Sequence, residues 1–306
     1  MQKRFFCQGG VHYDYLWSIQ DKIHLGHSHP ATQEKHIGGV AFNIALSISM
    51  LSESVHLQSA GGRDSDTFLQ ALKGYGIHSF HRDDSFSTEI PEYHGIFSPE
   101  LEFLFGLSKN QAYGKLSPGI IDKISKDDHH IIDSNVPAEY FLEAVKKPVY
   151  ARSLVLVSAV NAEKCHAYLP YLDHIFMNYD EAQIFLSDTQ APPLDLAHKL
   201  VEKGVKEAFI TLGPLGVVVA NTYEAEHVTG NRVERAAHVN GAGDTFAGLV
   251  LAFKAKGFNG IEAARKAQSL MPFYLKGGRQ NLKNHIENFI TPHATQPFRN
   301  TCYATL

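Results

Sequence analysis

Along most of the chain, short apolar runs alternate with segments in which apolar residues recur every three or four positions. "KRFFCQGG" reads as a strand, "NIALSISML" sets Ile44, Ile48 and Leu51 on one helical face, and "TFLQALKGYGI" sets Phe68, Leu69 and Leu72 ahead of a glycine stop at Gly74 or Gly76. Further on, "HHIID", "RSLVLVS", "HIFMN", "EAFITLG" and "GVVVAN" read as strands, and "PAEYFLEAV", "DEAQIFLS" and "LDLAHKLVEKG" as helices. Strands that are apolar throughout are buried on both faces, so the pattern predicts a doubly wound α/β core around a mostly parallel sheet.

Two stretches break this rhythm. Residues 15–37 are polar and His-rich, while "EIPEYHGIFSPELEFLFGLSKN" at 89–110 alternates and carries internal prolines, as edge strands and hairpins do. They predict a small accessory sheet. Ligands of open α/β sheets bind at the carboxyl ends of the strands, where such a sheet would act as a lid. With no internal repeat and no Ser/Gly-rich linker, the reading is a single α/β domain over 1–306, with lid strands inserted within 15–37 and 86–110.

Composition narrows the partners. Lys plus Arg total 28 against 32 Asp plus Glu, so there is no basic footprint for nucleic acid or an anionic membrane. No apolar run reaches signal-peptide or membrane-spanning length. The expectation is a cytoplasmic protein with small-molecule ligands. Cys7, Cys165 and Cys302 form no CxxC pair and read as reduced, packed thiols. The 18 histidines include "HLGHSH" at His24–His29 and "DDHH" at 127–130. Both runs sit in polar sequence with no second ligand set at metal spacing, so they read as solvated loop residues without a role.

The chemistry concentrates in "HVNGAGDTFAGLVLAF", residues 238–253. Glycines at 241 and 243 let a ligand approach the backbone, and the run from Thr245 to Lys256, stopped by Gly257, reads as a helix. Amides at the positive end of a helix form an anion site, suited to a phosphoryl group in flight. Asp244 is ill-suited to bind an anion and well suited to take a proton from an attacking hydroxyl. A glycine turn followed by an aspartate helix cap is the plain alternative for this motif taken alone.

Three other motifs stand in fixed order with it: "GGVAFN" at 38–43, "NYDE" at 178–181 and "TLGPLG" at 211–216. Together they resemble the ribokinase or PfkB-type carbohydrate kinase family, over nearly the whole chain. The resemblance implies a ribokinase-like fold with a β-sheet lid, ATP and Mg2+ as cofactors, and transfer to a primary hydroxyl of a sugar or nucleoside. By position, it implies that Asp14, Gly38, Gly39 and Asn43 hold the sugar. Asp244 would be the base, with the amides of Gly241, Ala242 and Gly243 as anion hole. Asn178 and Glu181 would organise the metal through water; Thr211, Gly213, Gly216 and Gln268 would lie along the nucleotide. The spacing of Asn178 and Glu181 fits a helix capping box equally well, and Gly213 and Gly216 fit a plain strand-to-strand turn. An apolar face left on the lid would serve as a homodimer contact.

The chain departs from the family pattern at His238 and Val239, where Asp and Thr stand in the common form, at Ser158 near a strand-end Asp, and at Thr67 in place of a glycine. Within the family, pseudouridine kinases are similar in Val239, in Asp133–Asn135, in Lys164 and Cys165, and in Ala267 and Gln268. This resemblance implies phosphorylation of the 5'-hydroxyl of pseudouridine. Another sugar or nucleoside acceptor (ribose, a keto-sugar acid, adenosine) would use the same core motifs, and a nucleoside-binding homologue without turnover would show the same departures.

Overall fold

The computed structural model describes residues 4–290 apart from 52–53, 61–69, 71, 73–75, 78, 84–89, 101, 110–112, 114–117, 159–161 and 235. Most of the helix expected before Gly76 lies outside the described residues, as do Thr67 and the tail with Cys302.

A nine-stranded sheet runs in the order β13-β12-β11-β10-β9-β8-β1-β4-β5. Its strands are β1 (Phe5–Gln8), β4 (Val55–Ala60), β5 (Ser79–Asp83), β8 (His129–Asp133), β9 (Ala151–Val155), β10 (His174–Asn178), β11 (Glu207–Thr211), β12 (Gly216–Asn221) and β13 (Ala225–Thr229). Pairing is parallel from β11 across to β5. β12 and β13 join antiparallel at the other edge. The reason is connection length: a parallel crossover needs a dozen residues or more, and the stretch 212–215 can only turn back.

Helices cover both faces: α1 (Val40–Ser49), α2 (Ala138–Ala144), α3 (Tyr179–Phe185), α4 (Pro193–Glu202), α5 (Ala242–Ala255) and α6 (Gly260–Ile290). Successive strand residues point to opposite faces, and the apolar runs divide accordingly. Phe176, Phe209, Val217 and Val219 pack with α1, α5 and α6. Ile175, Met177, Ala208, Ile210, Val218 and Ala220 pack with α2, α3 and α4. The α6 run is broken at Gly277 (φ −144, ψ 20) and Gly278 (φ 66, ψ −161).

The second sheet has four strands in the order β3-β2-β6-β7: β2 (His12–Ile19), β3 (Ala31–Gly38), β6 (Glu92–Phe97) and β7 (Phe103–Lys109). It is the expected small accessory sheet, here called the lid for its place over the strand ends, with β2 starting at His12 and β3 running to Gly38. His24–His29 occupy the exposed turn between β2 and β3. His129 and His130 correct the reading of solvated histidines: both are buried in β8. His129 stacks on Phe5 with ring centroids 4.8 Å apart, and His130 meets Gln8, which donates to Gln58 and Tyr140.

Candidate active site

At the carboxyl ends of β9, β10 and β11, beneath the four-stranded sheet, lies a cleft of about 340 Å³. This is where open α/β sheets bind ligands. Its lining gathers residues that are distant in sequence: Asp14 and Tyr93 from the lid, Asn43 from α1, Asn178 and Glu181 after β10, and 239–244 at the start of α5. Gly39, Thr211, Gly241, Ala242 and Gly243 also line it.

Gly241 caps α5 in the left-handed region (φ 74), which a residue with a Cβ adopts at a cost. The residues at and after that turn, Gly241, Ala242, Gly243 and Asp244, all line the cleft. Ala242 donates to the Val239 carbonyl at 3.1 Å, so this amide is already engaged. Among the described residues the amides of Gly241, Gly243 and Asp244 meet no acceptor. They are the orphan donors of a helix start, with the positive end of the helix dipole behind them.

Asp244, in the first turn of α5, accepts from Asn43 Nδ2 through Oδ2 at 2.7 Å. Desolvation pushes its carboxyl above the usual range, Asn43 and the Arg279 guanidinium pull it back, and the Asp14 charge pushes up again. Asp14 is also held: Asn240 Nδ2 donates to its Oδ2 at 3.2 Å, and His12 Nδ1 lies 2.7 Å from its Oδ1. A Cβ on Gly38 would fall 2.1 Å from Asp14 Oδ2, and one on Gly39 (φ 105) would fall 2.3 Å from the Gly10 carbonyl. The glycine pair therefore lets the lid carboxylate and the first loop close down on α1.

Asn178 and Glu181 do form a capping box at the start of α3. Asn178 Oδ1 accepts from the Glu181 amide, and Glu181 Oε2 from the Asn178 amide, each at 2.8 Å. Burial drives the Glu181 carboxyl up to about 7; the Asn178 amide opposes this, and the Asp244 and Asp180 charges add to it. Such a carboxyl loses its proton readily when a cation arrives.

Gly38, Gly213, Gly216 and Gln268 do not line the cleft. Gly213 and Gly216 shape the turn between β11 and β12, and Gln268 is half-buried on α6, its carbonyl 3.3 Å from Asn231 Nδ2. Asp133 is structural: its carboxylate accepts from the amides of Gly10 (2.6 Å), Ala41 (3.2 Å) and Asn135 (2.9 Å). Burial nevertheless raises it to about 6. Ser134 Oγ accepts from the Val157 amide, Lys164 donates to the Val136 carbonyl at 3.0 Å, and Cys165 and Ala267 are buried among apolar side chains. Of the chain's departures, Val239 faces the cleft, while His238 is anchored by its amide to Leu275 and packs near Gly278.

Sequence reading missed His12, Tyr93, Asn240, Tyr274 and Arg279. Tyr274 donates to the Asn240 carbonyl at 2.5 Å; Arg279 donates to the Ile37 carbonyl at 3.0 Å and to Asn43 Oδ1. The one local signal for Arg279 is the glycine pair before it, which breaks a helix that otherwise has no reason to stop.

Comparison with known proteins accords with this arrangement. The family model for pfkB family carbohydrate kinases matches residues 12–276. No curated protein matches the sequence. Among solved structures, ribokinase from Thermotoga maritima superposes with a TM-score of 0.80 at 19% identity, covering 95% of this chain and 99% of its own. Arabidopsis thaliana ribokinase, complexed with ribose and ATP, gives 0.79 at 16% identity over 95% and 99%. The nucleoside kinase of Methanocaldococcus jannaschii gives 0.75 at 18% identity over 94% and 99%. The chain belongs to the pfkB family of carbohydrate kinases, ATP-dependent phosphotransferases that act on hydroxyl groups.

Proposed function

We propose that this kinase phosphorylates the 5'-hydroxyl of pseudouridine, using Asp244 as general base. The observation that carries the mechanism is the placement of Asp244: its Oδ2 is held by Asn43 at 2.7 Å, beside orphan amides at the start of α5 and within the same cleft as Asp14. Bound ATP would supply the phosphoryl group and leave as ADP, and Mg2+ would neutralise charge on its phosphates.

The chain's own residues do the rest. Asp14 holds sugar hydroxyls at the lid side of the cleft, with its carboxylate oriented by Asn240 and His12 Nδ1 close by at 2.7 Å. Asp244 Oδ1 takes the hydroxyl proton as the oxygen attacks, while the amides of Gly241 and Gly243 hold the phosphoryl oxygens. The Ala242 amide contributes only if its bond to Val239 opens. The donors at this end of the cleft are an amide and a carboxylate, Asn178 and Glu181, a set that would suit Mg2+ held through its own waters. Asn178 and Glu181 would hold those waters, and Thr211, Gly213, Gly216 and Gln268 would flank the nucleotide.

Support for the acceptor is narrower. The cleft, at about 340 Å³, falls in the range of small-molecule sites. Tyr93 and His12 give it a ringed wall, and Val239, the position at which the sequence resembles pseudouridine kinases, lines it. The test is Mg2+-dependent ADP release across pseudouridine, uridine, adenosine, ribose and fructose. Pseudouridine should give the highest kcat/KM. A better acceptor elsewhere in the panel would discard pseudouridine and keep the kinase. Nucleoside binding by calorimetry with no turnover on any acceptor would favour a non-catalytic homologue.

A further inference from the structure

Asn43 can offer its neighbours either an acceptor or a donor, because the two ends of its amide have nearly the same shape. Which end faces Asp244 decides the chemistry. With Nδ2 toward the carboxylate, Asn43 holds Asp244 Oδ2 and stabilises the charged form that can accept a proton. With Oδ1 toward it, two acceptors would face each other. Nothing on α1 itself settles the choice.

Arg279 settles it from 236 positions away. One arm of its guanidinium donates to Asn43 Oδ1, and the other donates at 3.0 Å to the carbonyl of Ile37, near the end of lid strand β3. A guanidinium has only donors, so it can meet only the oxygen of the amide. Arg279 follows the break in α6 at Gly277 and Gly278, and its Cζ lies 5.2 Å from the centroid of the Phe42 ring. Asn43 Nδ2 is thereby turned to Asp244, 2.7 Å away.

We propose that Arg279 is a positioning residue of the transfer reaction: it acts through Asn43 to fix the donor side of that amide on Asp244, and ties this to the lid through Ile37. This rests on the reading of Asp244 as base. Arg279 need not touch either substrate. Its removal leaves the Asn43 amide free to flip and takes a positive charge away from Asp244, so Asp244 should protonate at higher pH.

The experiment compares wild type with Arg279→Met, Arg279→Lys, Asn43→Ala and the double variant Arg279→Met/Asn43→Ala, after circular dichroism and thermal melting have shown each to be folded. Arg279→Met should lower kcat about ten- to a hundredfold, as loss of an orienting partner does. The acid limb of its kcat/KM profile should move to higher pH, and Arg279→Lys should restore part of both. In the Asn43→Ala background, Arg279→Met should change the rate by less than about threefold, because the group it acts through is gone. An unmoved acid limb with effects that multiply across the double variant would overturn the proposal. An Asp244→Asn variant that turns over at the wild-type rate would instead overturn the reading of Asp244 as base.

Discussion

Glu181 carries two tasks on one carboxylate. Its Oε2 closes the capping box with Asn178, and its charge would hold water around Mg2+. With its pKa raised from 4.5 to about 7, the folded chain binds more protons than the unfolded chain between those values, so stability falls as pH rises through that window. Glu181→Gln keeps an acceptor for the Asn178 amide and removes the charge. We expect this variant to melt at or above the wild-type temperature at pH 8. Its half-saturating Mg2+ concentration should rise about tenfold, a typical cost for losing an outer-sphere carboxylate. Wild-type Mg2+ affinity should weaken as pH falls through 7 and the variant's should not; titration of turnover against Mg2+ at several pH values reads this. Asp14, Asn43 and Asp244 were legible in the sequence because each stands in a short motif. His12, Asn240 and Arg279 were not, because their work lies in contacts such as Asn240 to Asp14, which no local pattern encodes.

At the scale of elements, the alternation of apolar strands and amphipathic segments announced the doubly wound core, and the polar and alternating stretches announced the lid. The failure at "DDHH" is instructive. The run "HHIID" read correctly as a strand, but the polarity of "DDHH" suggested solvated histidines; β8 sits mid-sheet beside β1, and its histidines are absorbed by an aromatic stack and by the Gln8, Gln58 and Tyr140 network. Burial, followed by the Arg152 charge, lowers the pKa of His130 to about 3. The unfolded chain then binds the extra proton between pH 3 and the ordinary 6.5, so stability contributed by neutral His130 is present above 6.5 and is lost as pH falls towards 3. His130→Gln should flatten the decline of urea midpoint between pH 6.5 and 4. An unchanged slope would assign the acid sensitivity to other groups, among them His174, which burial also holds neutral.

For the whole molecule, the two sheets divide the labour. The large sheet carries Asn178 and Thr211 at strand ends and sets α5 against α1, while the small one brings Asp14 and Tyr93 over the cleft. No helix among the described residues is long and apolar enough to cross a membrane. The lid's outer strand β7 exposes Phe103 (56%), Phe105 (52%) and Leu107 (59%) on an unpaired sheet edge. Such an edge invites pairing with a second copy. We expect a homodimer by light scattering, and a monomer after Phe105→Glu with Leu107→Lys; a wild-type monomer at micromolar concentration would refute that contact. Sequence reading expected a dimer contact on an apolar face of the lid but could not name its residues, because "FLFGLSK" shows which positions are apolar and not that the whole strand lies exposed at a sheet edge among the described residues.

The most direct measurement is single-turnover transfer of the γ-phosphoryl group from Mg2+·ATP to a saturating acceptor, wild type against Asp244→Asn. The amide keeps the shape of the carboxylate and loses the ability to take a proton. If Asp244 is the base, transfer falls by about a thousandfold or more while acceptor and ATP affinities stay within a few fold. Transfer within about tenfold of wild type would contradict a catalytic Asp244, and with it the mechanism built on the start of α5.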